Sequence, residues 1–255
     1  MPVLKVAFVI LAISLCLYAA PGTAPASRKT LQISEQNAQL LENIGGYPDL
    51  EVLSITCVEP LRALPDSLGK LTGLKELIID NGNGCSMNPL LPETIGNLRS
   101  LEKLVLYGAQ DPRGVGNEPG VQPGQRHKFP RSMSQLSSLL YLDLGRNGFN
   151  DIPAFVKDLP KLKELGFELN NLKTLPVFLS NLKQLTTLKL AGNDLDDLPE
   201  FLHALPNLTR IDLGNNCRLT KNFARMKELK ARFPKVSFDF INQYDCRNFR
   251  ENADQ

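Results

Sequence analysis

The feature that most constrains this chain is an apolar pattern that returns at a fixed step. L-x-x-L-x-L occurs at Leu139, Leu142 and Leu144, then Leu162, Leu165 and Phe167, then Leu185, Leu188 and Leu190, then Leu208, Ile211 and Leu213, each copy 23 residues after the last. Three looser copies come first: Leu50, Leu53 and Ile55; Leu74, Leu77 and Ile79; Leu101, Leu104 and Leu106. Their starts are 24 and 27 residues apart, and the step on to Leu139 is 38. A degenerate last copy is Phe233, Val236 and Phe238. The alternation within L-x-L predicts a short strand with one face inward. A second apolar set follows a proline, as in Leu175-Pro176, Leu179 and Leu182. Its three-residue spacing predicts a short helical or 3₁₀ segment returning along the opposite side. One such coil cannot bury its own ring of leucines, so the coils must stack.

Asn147, Asn170, Asn193 and Asn216 each stand three residues after a strand pattern. That spacing puts them inside the turn, where an amide side chain can donate to and accept from backbone groups that no strand satisfies. The whole unit, L-x-x-L-x-L-x-x-N-x-L-x-x-L-P-x-x-L-x-x-L-x-x, resembles the 23-residue leucine-rich repeats. These occur in bacterial surface proteins, those of leptospires included, and in Ras-associated-type repeat proteins. The resemblance covers roughly residues 44–240. It implies an α/β leucine-rich-repeat solenoid, a horseshoe with a parallel concave sheet and short helical or 3₁₀ segments on the convex side. The front half departs from it: Val58, Gly82 and Ala109 stand at the asparagine position, so the turns there must be satisfied differently.

The ends differ in composition. Residues 1–26 carry one charge, Lys5, an apolar run from Val6 to Ala20 and the A-x-A form Ala24-Pro25-Ala26. This reads as a signal peptide cut before Ser27, with an uncleaved anchor as the alternative. A lipoprotein site at Cys16 is disfavoured by Leu15 before it. The expected location is secreted, extracellular or periplasmic, and the expected membrane association is through residues 1–26 only if they are uncleaved. Residues 27–49 read as an N-terminal cap, with Ser34 capping a helix to about Ile44 followed by half a repeat. Residues 50–215 hold seven repeats, interrupted at about 107–128 by a Gly/Pro-rich insertion that is neither strand nor helix. This insertion suits either a contact loop or a tolerated surface excursion. Residues 216–246 read as a C-terminal cap, with a helix at 222–232 and a strand from Val236 to Phe240, and 247–255 as a polar tail.

Once Cys16 leaves with the signal peptide, Cys57, Cys85, Cys217 and Cys246 remain. An even number in an exported chain favours disulfides. Cys57 and Cys85 follow the strands of the first two repeats, and Cys217 and Cys246 those of the last two. Equivalent positions on neighbouring coils lie about 5 Å apart, so Cys57–Cys85 and Cys217–Cys246 are the expected bridges, with four free thiols as the alternative.

Little points to catalysis. The formal net charge is +2 and tryptophan is absent, which gives no nucleic-acid surface. Gly114-Val115-Gly116 lacks the strand and helix a nucleotide loop requires. The two histidines, His127 and His203, fall in the insertion and on the convex side, where no pocket for a nucleophile and base is expected. Asp194-Leu195-Asp196-Asp197 lacks the glycine and terminal glutamate of an EF-hand loop and reads as a solvated convex turn. No metal, cofactor or enzyme activity is expected. Asn207-Leu208-Thr209 matches a glycosylation sequon, meaningful only in a eukaryotic secretory pathway.

That leaves the concave face. Outward residues between the buried leucines are Glu76 and Asp80, Lys103 and Tyr107, Tyr141, Asp143 and Arg146, Glu164 and Glu168, Lys189, Arg210 and Asp212. Tyrosine and arginine are enriched in binding hot spots. The expected function is recognition of a protein partner on this face, centred on Tyr107, Tyr141 and Arg146. A carbohydrate or cell-wall module and a structural envelope component are the alternatives; the scarcity of aromatic platforms favours protein over glycan.

Overall fold

A computed structural model describes residues 29–56, 58, 61, 63–80, 91–108 and 129–241. Nine strands form one open parallel sheet in strict chain order: β1 (Thr30–Ile33), β2 (Val52–Thr56), β3 (Glu76–Asp80), β4 (Lys103–Tyr107), β5 (Tyr141–Asp143), β6 (Glu164–Gly166), β7 (Thr187–Lys189), β8 (Arg210–Asp212) and β9 (Ser237–Asp239). Each strand pairs only with its sequence neighbours, without a slip of register: Leu53, Leu77, Leu104, Leu142, Leu165, Leu188 and Ile211 form one continuous row. These side chains are fully buried, as is the next inward row from Ile55 to Leu213. The chain is a leucine-rich-repeat solenoid.

The return path follows from proline. Pro65, Pro92, Pro130, Pro153, Pro176 and Pro199 each directly precede a five-residue 3₁₀ segment. The ring holds φ near the helical value and forfeits an N–H that would be unpaired there. Its carbonyl accepts from the third residue on, as in Leu179 N–H to Pro176 O at 3.1 Å. That third residue (Leu68, Ile95, Met133, Val156, Leu179 or Leu202) is buried against the sheet.

The turn after each strand carries two devices. The first is the asparagine ladder. Asn170 Oδ1 accepts from Asn147 N–H at 3.1 Å and Phe149 N–H at 2.9 Å, while its Nδ2 donates to Leu144 O and Phe167 O, both at 3.0 Å. Asn193 bonds the same way to Leu172 N–H, Phe167 O and Leu190 O, and Asn216 to Leu195 N–H, Leu190 O and Leu213 O. Asn147 Nδ2 donates to Leu106 O at 2.7 Å. Each amide thus ties its own turn to the preceding coil.

The second device has no signature in the repeat pattern. The residue just before the ladder position is left-handed in five coils: Gly108 (φ 63°), Arg146 (58°), Leu169 (56°), Gly192 (69°) and Asn215 (56°). This lets the backbone N–H of Gly108, Arg146, Leu169 and Gly192 reach the next coil's carbonyl, at Gly145, Glu168, Ala191 and Gly214, within 2.7–2.8 Å. The parallel ladder therefore continues past the strand ends. Only glycine adopts this region without cost. A Cβ on Gly192 would also sit 2.6 Å from Leu169 Cδ2. Gly192→Ala is expected to destabilise by about 1–2 kcal/mol, read as a lower denaturant midpoint with unchanged slope.

The caps depart from expectation at the front. Ser34 stands at the N-cap as expected, but the segment it caps is 3₁₀ and broken, Glu35–Leu41 and then Ile44–Gly46, and β1 adds a ninth strand before it. Leu31 and Ile33 point inward, and that single alternation is too short to stand out without the rest of a repeat. At the back, α1 (Cys217–Thr220) leads into α2 (Phe223–Arg232). Cys217 is disulfide-bonded, and its partner is not among the described residues. The insertion expected from about 107 starts later, since Tyr107 closes β4 and Gly108 its turn; residues 109–128 with His127, residues 1–28, Cys57, Cys85, Cys246 and 242–255 lie outside the described residues.

The aspartate run is also revised. Asp197 is chelated by Arg232, whose Nη2 lies 2.6 Å from Oδ1 and also donates to Leu198 O. Asp194 pairs with Arg218 at 3.2 Å and Leu195 is buried. The run is therefore a clamp for the C-terminal cap rather than a solvated turn. Burial opposes the Asp197 charge, but hydrogen bonds from Arg232 and the Leu198 N–H hold its carboxyl below the usual range. His203 stacks on Phe233 with centroids 4.2 Å apart and faces Glu200 at 3.2 Å. No described helix is long and apolar enough to cross a membrane.

Candidate binding face

Outward side chains stand in three rows across the sheet. The first runs Val52, Glu76, Lys103, Tyr141, Glu164, Thr187 and Arg210. The second runs Ser54, Ile78, Val105, Asp143, Gly166, Lys189, Asp212 and Asp239. The third begins with Thr56, Asp80 and Tyr107 on β2, β3 and β4. It continues two residues past the later strands through Gly145, Glu168, Ala191 and Gly214.

Tyr141 is the centre of this face. Its hydroxyl donates to Asp143 Oδ2 at 3.2 Å and accepts from Lys189 Nζ at 3.2 Å. Lys189 and Lys103 lie 4.7 and 5.8 Å from its ring centroid. Those lysines are held in turn by Glu164 at 3.5 Å and Glu76 at 3.3 Å. Each exposed pair contributes little alone, but together they fix the ring's orientation. Burial and the Asp143 charge push the Tyr141 hydroxyl pKa up. Burial works against the Lys189 charge, yet Tyr141 and Glu164 hold its pKa above the usual value. Tyr107 lies across Gly145, where an added Cβ would come within 2.7 Å of its Cε2.

Two candidate contacts have other work. Asp143 is buried, 8% exposed, with Oδ1 accepting from Gly145 N–H at 2.8 Å. It shapes the face from beneath Tyr141, and outward pattern alone could not show that its oxygens are used. Asp212 takes the same local bond from Gly214 N–H at 3.0 Å, as Asp239 does from Ile241 N–H at 2.9 Å. Arg146 lies beyond β5, in the left-handed turn at the sheet's rim. Conversely, a reading confined to polar residues misses Val52, Ile78 and Val105, which are half-buried on the same face. Their outward position in the alternation is a usable signal.

Glu168 stands apart. Burial, then the charges of Asp143 and Asp212, hold its carboxyl above the usual range. A folded pKa raised above the unfolded one means that protonation favours the folded state. The cost is absent below the unfolded carboxylate range, near pH ~4, and sets in as pH rises through the folded value. Glu168→Gln is therefore expected to be more stable than wild type at about pH 7, with the gap closing towards about pH 4. Paired thermal melts across that range check it; a gap that stays constant with pH would rule out the buried carboxylate charge as its source.

Among the described residues, no group of His, Cys, Asp and Glu is arranged to hold a metal ion.

The family model for leucine-rich repeats (two copies) matches residues 183–224. No curated protein matches the chain. Among solved structures, a leucine-rich-repeat protein of Leptospira interrogans is similar at 24% identity and TM-score 0.53, covering 84% of this chain and 60% of its own. InlP of Listeria monocytogenes is similar at 24% identity and TM-score 0.51, covering 72% and 49%. Human trophoblast glycoprotein, a Wnt-activated inhibitory factor, is similar at 22% identity and TM-score 0.56, covering 71% and 67%. This chain thus spans less than two thirds of the length of the first two. At these identities the likeness is one of fold.

Proposed function

We propose that this chain is an exported recognition protein that binds a protein partner on the concave sheet face and has no catalytic role. The observation that carries the reading is the preset state of Tyr141, a half-buried aromatic whose hydroxyl and ring are both engaged before any partner arrives. A rigid aromatic anchor loses little conformational freedom on binding, which favours affinity. Leucine-rich-repeat solenoids are scaffolds for protein–protein recognition, and an open parallel sheet presents a broad surface for it. His203, the described histidine, is occupied by Phe233 and Glu200, away from this face.

A photo-crosslinking residue at Thr187, on the sheet face, is compared with one at Asp158, on the opposite side. The same partner should be captured from Thr187 and not from Asp158, and capture should fall with Tyr141→Ala plus Arg146→Glu. Equal capture from both sides would overturn the concave-face reading, and binding on a glycan array instead would replace protein with carbohydrate. Export predicts a mature N-terminus at Ser27. The Cys57–Cys85 and Cys217–Cys246 bridges, each contributing about 2–4 kcal/mol, predict no alkylatable thiol in the mature folded protein.

A further inference from the structure

The sheet face changes chemistry along its length. In the second outward row, Ile78 and Val105 are aliphatic and half-buried, and Val52 stands in the first row on β2. From β5 onward the same row reads Asp143, Gly166, Lys189, Asp212 and Asp239. The change falls between β4 and β5, where Tyr107 and Tyr141 stand.

From β5 to β9 the face carries five carboxylates, Asp143, Glu164, Glu168, Asp212 and Asp239, against three cations, Arg146, Lys189 and Arg210. Lys189 is already engaged by Tyr141 and Glu164. Glu168, by contrast, has no ion pair or carboxylate hydrogen bond among the described residues. Between Glu168 and Asp212 the middle coil contributes Ala191, whose methyl is short and partly exposed, and Lys189, whose amine is turned back towards Tyr141 and Glu164. Burial and the Asp143 and Asp212 charges also raise the Glu168 pKa, with Lys189 offsetting part of the effect, and an incoming cation would lower it again.

We infer that this face takes one extended polypeptide segment of a protein partner, its aliphatic side chains over Val52, Ile78 and Val105 and its Lys or Arg side chains between Glu168 and Asp212. The inference rests on the concave-face reading and adds chemistry and direction to it. The span fits. From β2, which carries Val52, to β8 there are six strand spacings of about 4.8 Å, roughly 29 Å, which about nine extended residues cover. The occupant is chosen by charge: an acidic or neutral segment would leave the Glu168 region unrelieved, and a wholly basic one would set ammonium groups over Ile78 and Val105 at a desolvation cost.

The test is selection of a random twelve-residue peptide library on the intact chain with its disulfides retained, followed by affinity measurement on the most enriched peptide. The selected pool should couple Leu, Ile or Val at one end with Lys or Arg at the other. Glu168→Gln plus Asp212→Asn keeps the local bond to Gly214, because asparagine retains an acceptor at Oδ1. That variant should weaken the peptide about tenfold or more and flatten its salt dependence. Ile78→Ser plus Val105→Ser should weaken it comparably while leaving the salt dependence intact. Thermal melts confirm that both variants are folded. Wild-type affinity should also rise with pH as Glu168 ionises.

Enrichment of acidic or uncharged peptides, no enrichment at all, or indifference to either pair of substitutions overturns the inference. If peptides of another chemistry are selected and lose affinity with Tyr141→Ala, the inference fails while the concave-face reading stands. If no substitution on the face alters any selected peptide, both fail.

Discussion

Asn170→Ala should be among the most damaging single substitutions in the back half of the solenoid, at about 3–4 kcal/mol. The side chain is 6% exposed and satisfies two backbone N–H groups, those of Asn147 and Phe149, and two carbonyls, those of Leu144 and Phe167. Alanine removes all four bonds from a buried turn, although Phe167 O keeps the one from Asn193 Nδ2. A buried polar group left unpaired costs about 1–3 kcal/mol, and relaxation recovers part of the sum. For a chain of this size the loss corresponds to a fall of roughly 10 °C in Tm. Asn207→Ala is the control, since that exposed amide makes one bond, to Lys183 O at 2.8 Å, and should shift stability by no more than about 0.5 kcal/mol. Equal effects would mean that the ladder is not what holds the coils in register.

Gly96→Ala should cost about 2–3 kcal/mol, although it adds a single methyl on the convex side. That methyl would meet Ser132 Cβ at 2.5 Å and Ser132 O at 2.7 Å. The second contact is backbone and cannot rotate away. Gly69 meets Thr94, and Gly45 meets Ser67, in the same way. The front coils therefore approach closely through paired glycine and hydroxyl residues. In the back half, Lys157, Ser180 and His203 occupy the position of Gly69 and Gly96. The neighbouring row there holds Phe155, Phe178 and Phe201, packed against the core, which keeps the coils apart. Ser180→Ala should accordingly be neutral to within about 0.5 kcal/mol. Ser132→Ala should be neutral or stabilising, because the Ser132 hydroxyl is buried without a hydrogen-bond partner. Denaturant titrations of the three variants side by side check this, and a tolerated Gly96→Ala would mean that the convex contact is soft.

The glycines show the limit of what pattern conveys. Gly69 and Gly96 fall at the same place in their repeats, but nothing in a one-dimensional pattern says that a neighbouring backbone oxygen sits against them. The same holds for Gly145, which lets Tyr107 lie flat, and for Gly192, which needs its left-handed φ. Leucine periodicity, in contrast, states a geometric requirement at every copy: an inward side chain must find an inward neighbour one coil away. The register of all nine strands honours it.

The candidate face was legible in part for the same reason. Alternation assigns Tyr141, Lys103 and Glu164 to the outside because successive side chains on a strand point to opposite faces. It gives no account of Asp143 turning back to cap Gly145, or of Lys189 reaching Tyr141 from two strands away. Arg232 finding Asp197 across 35 positions has no local signature at all.

Repeat length, inward rows, proline-led returns and the asparagine ladder thus follow from residue order, since each is a condition that one coil sets on the next. The ninth strand at Thr30–Ile33, the clamp on the C-terminal cap and the union of two lysines and an aspartate around Tyr141 do not. They depend on which side chains meet once the coils are stacked, and that is decided by packing distances and shared charge rather than by spacing along the chain.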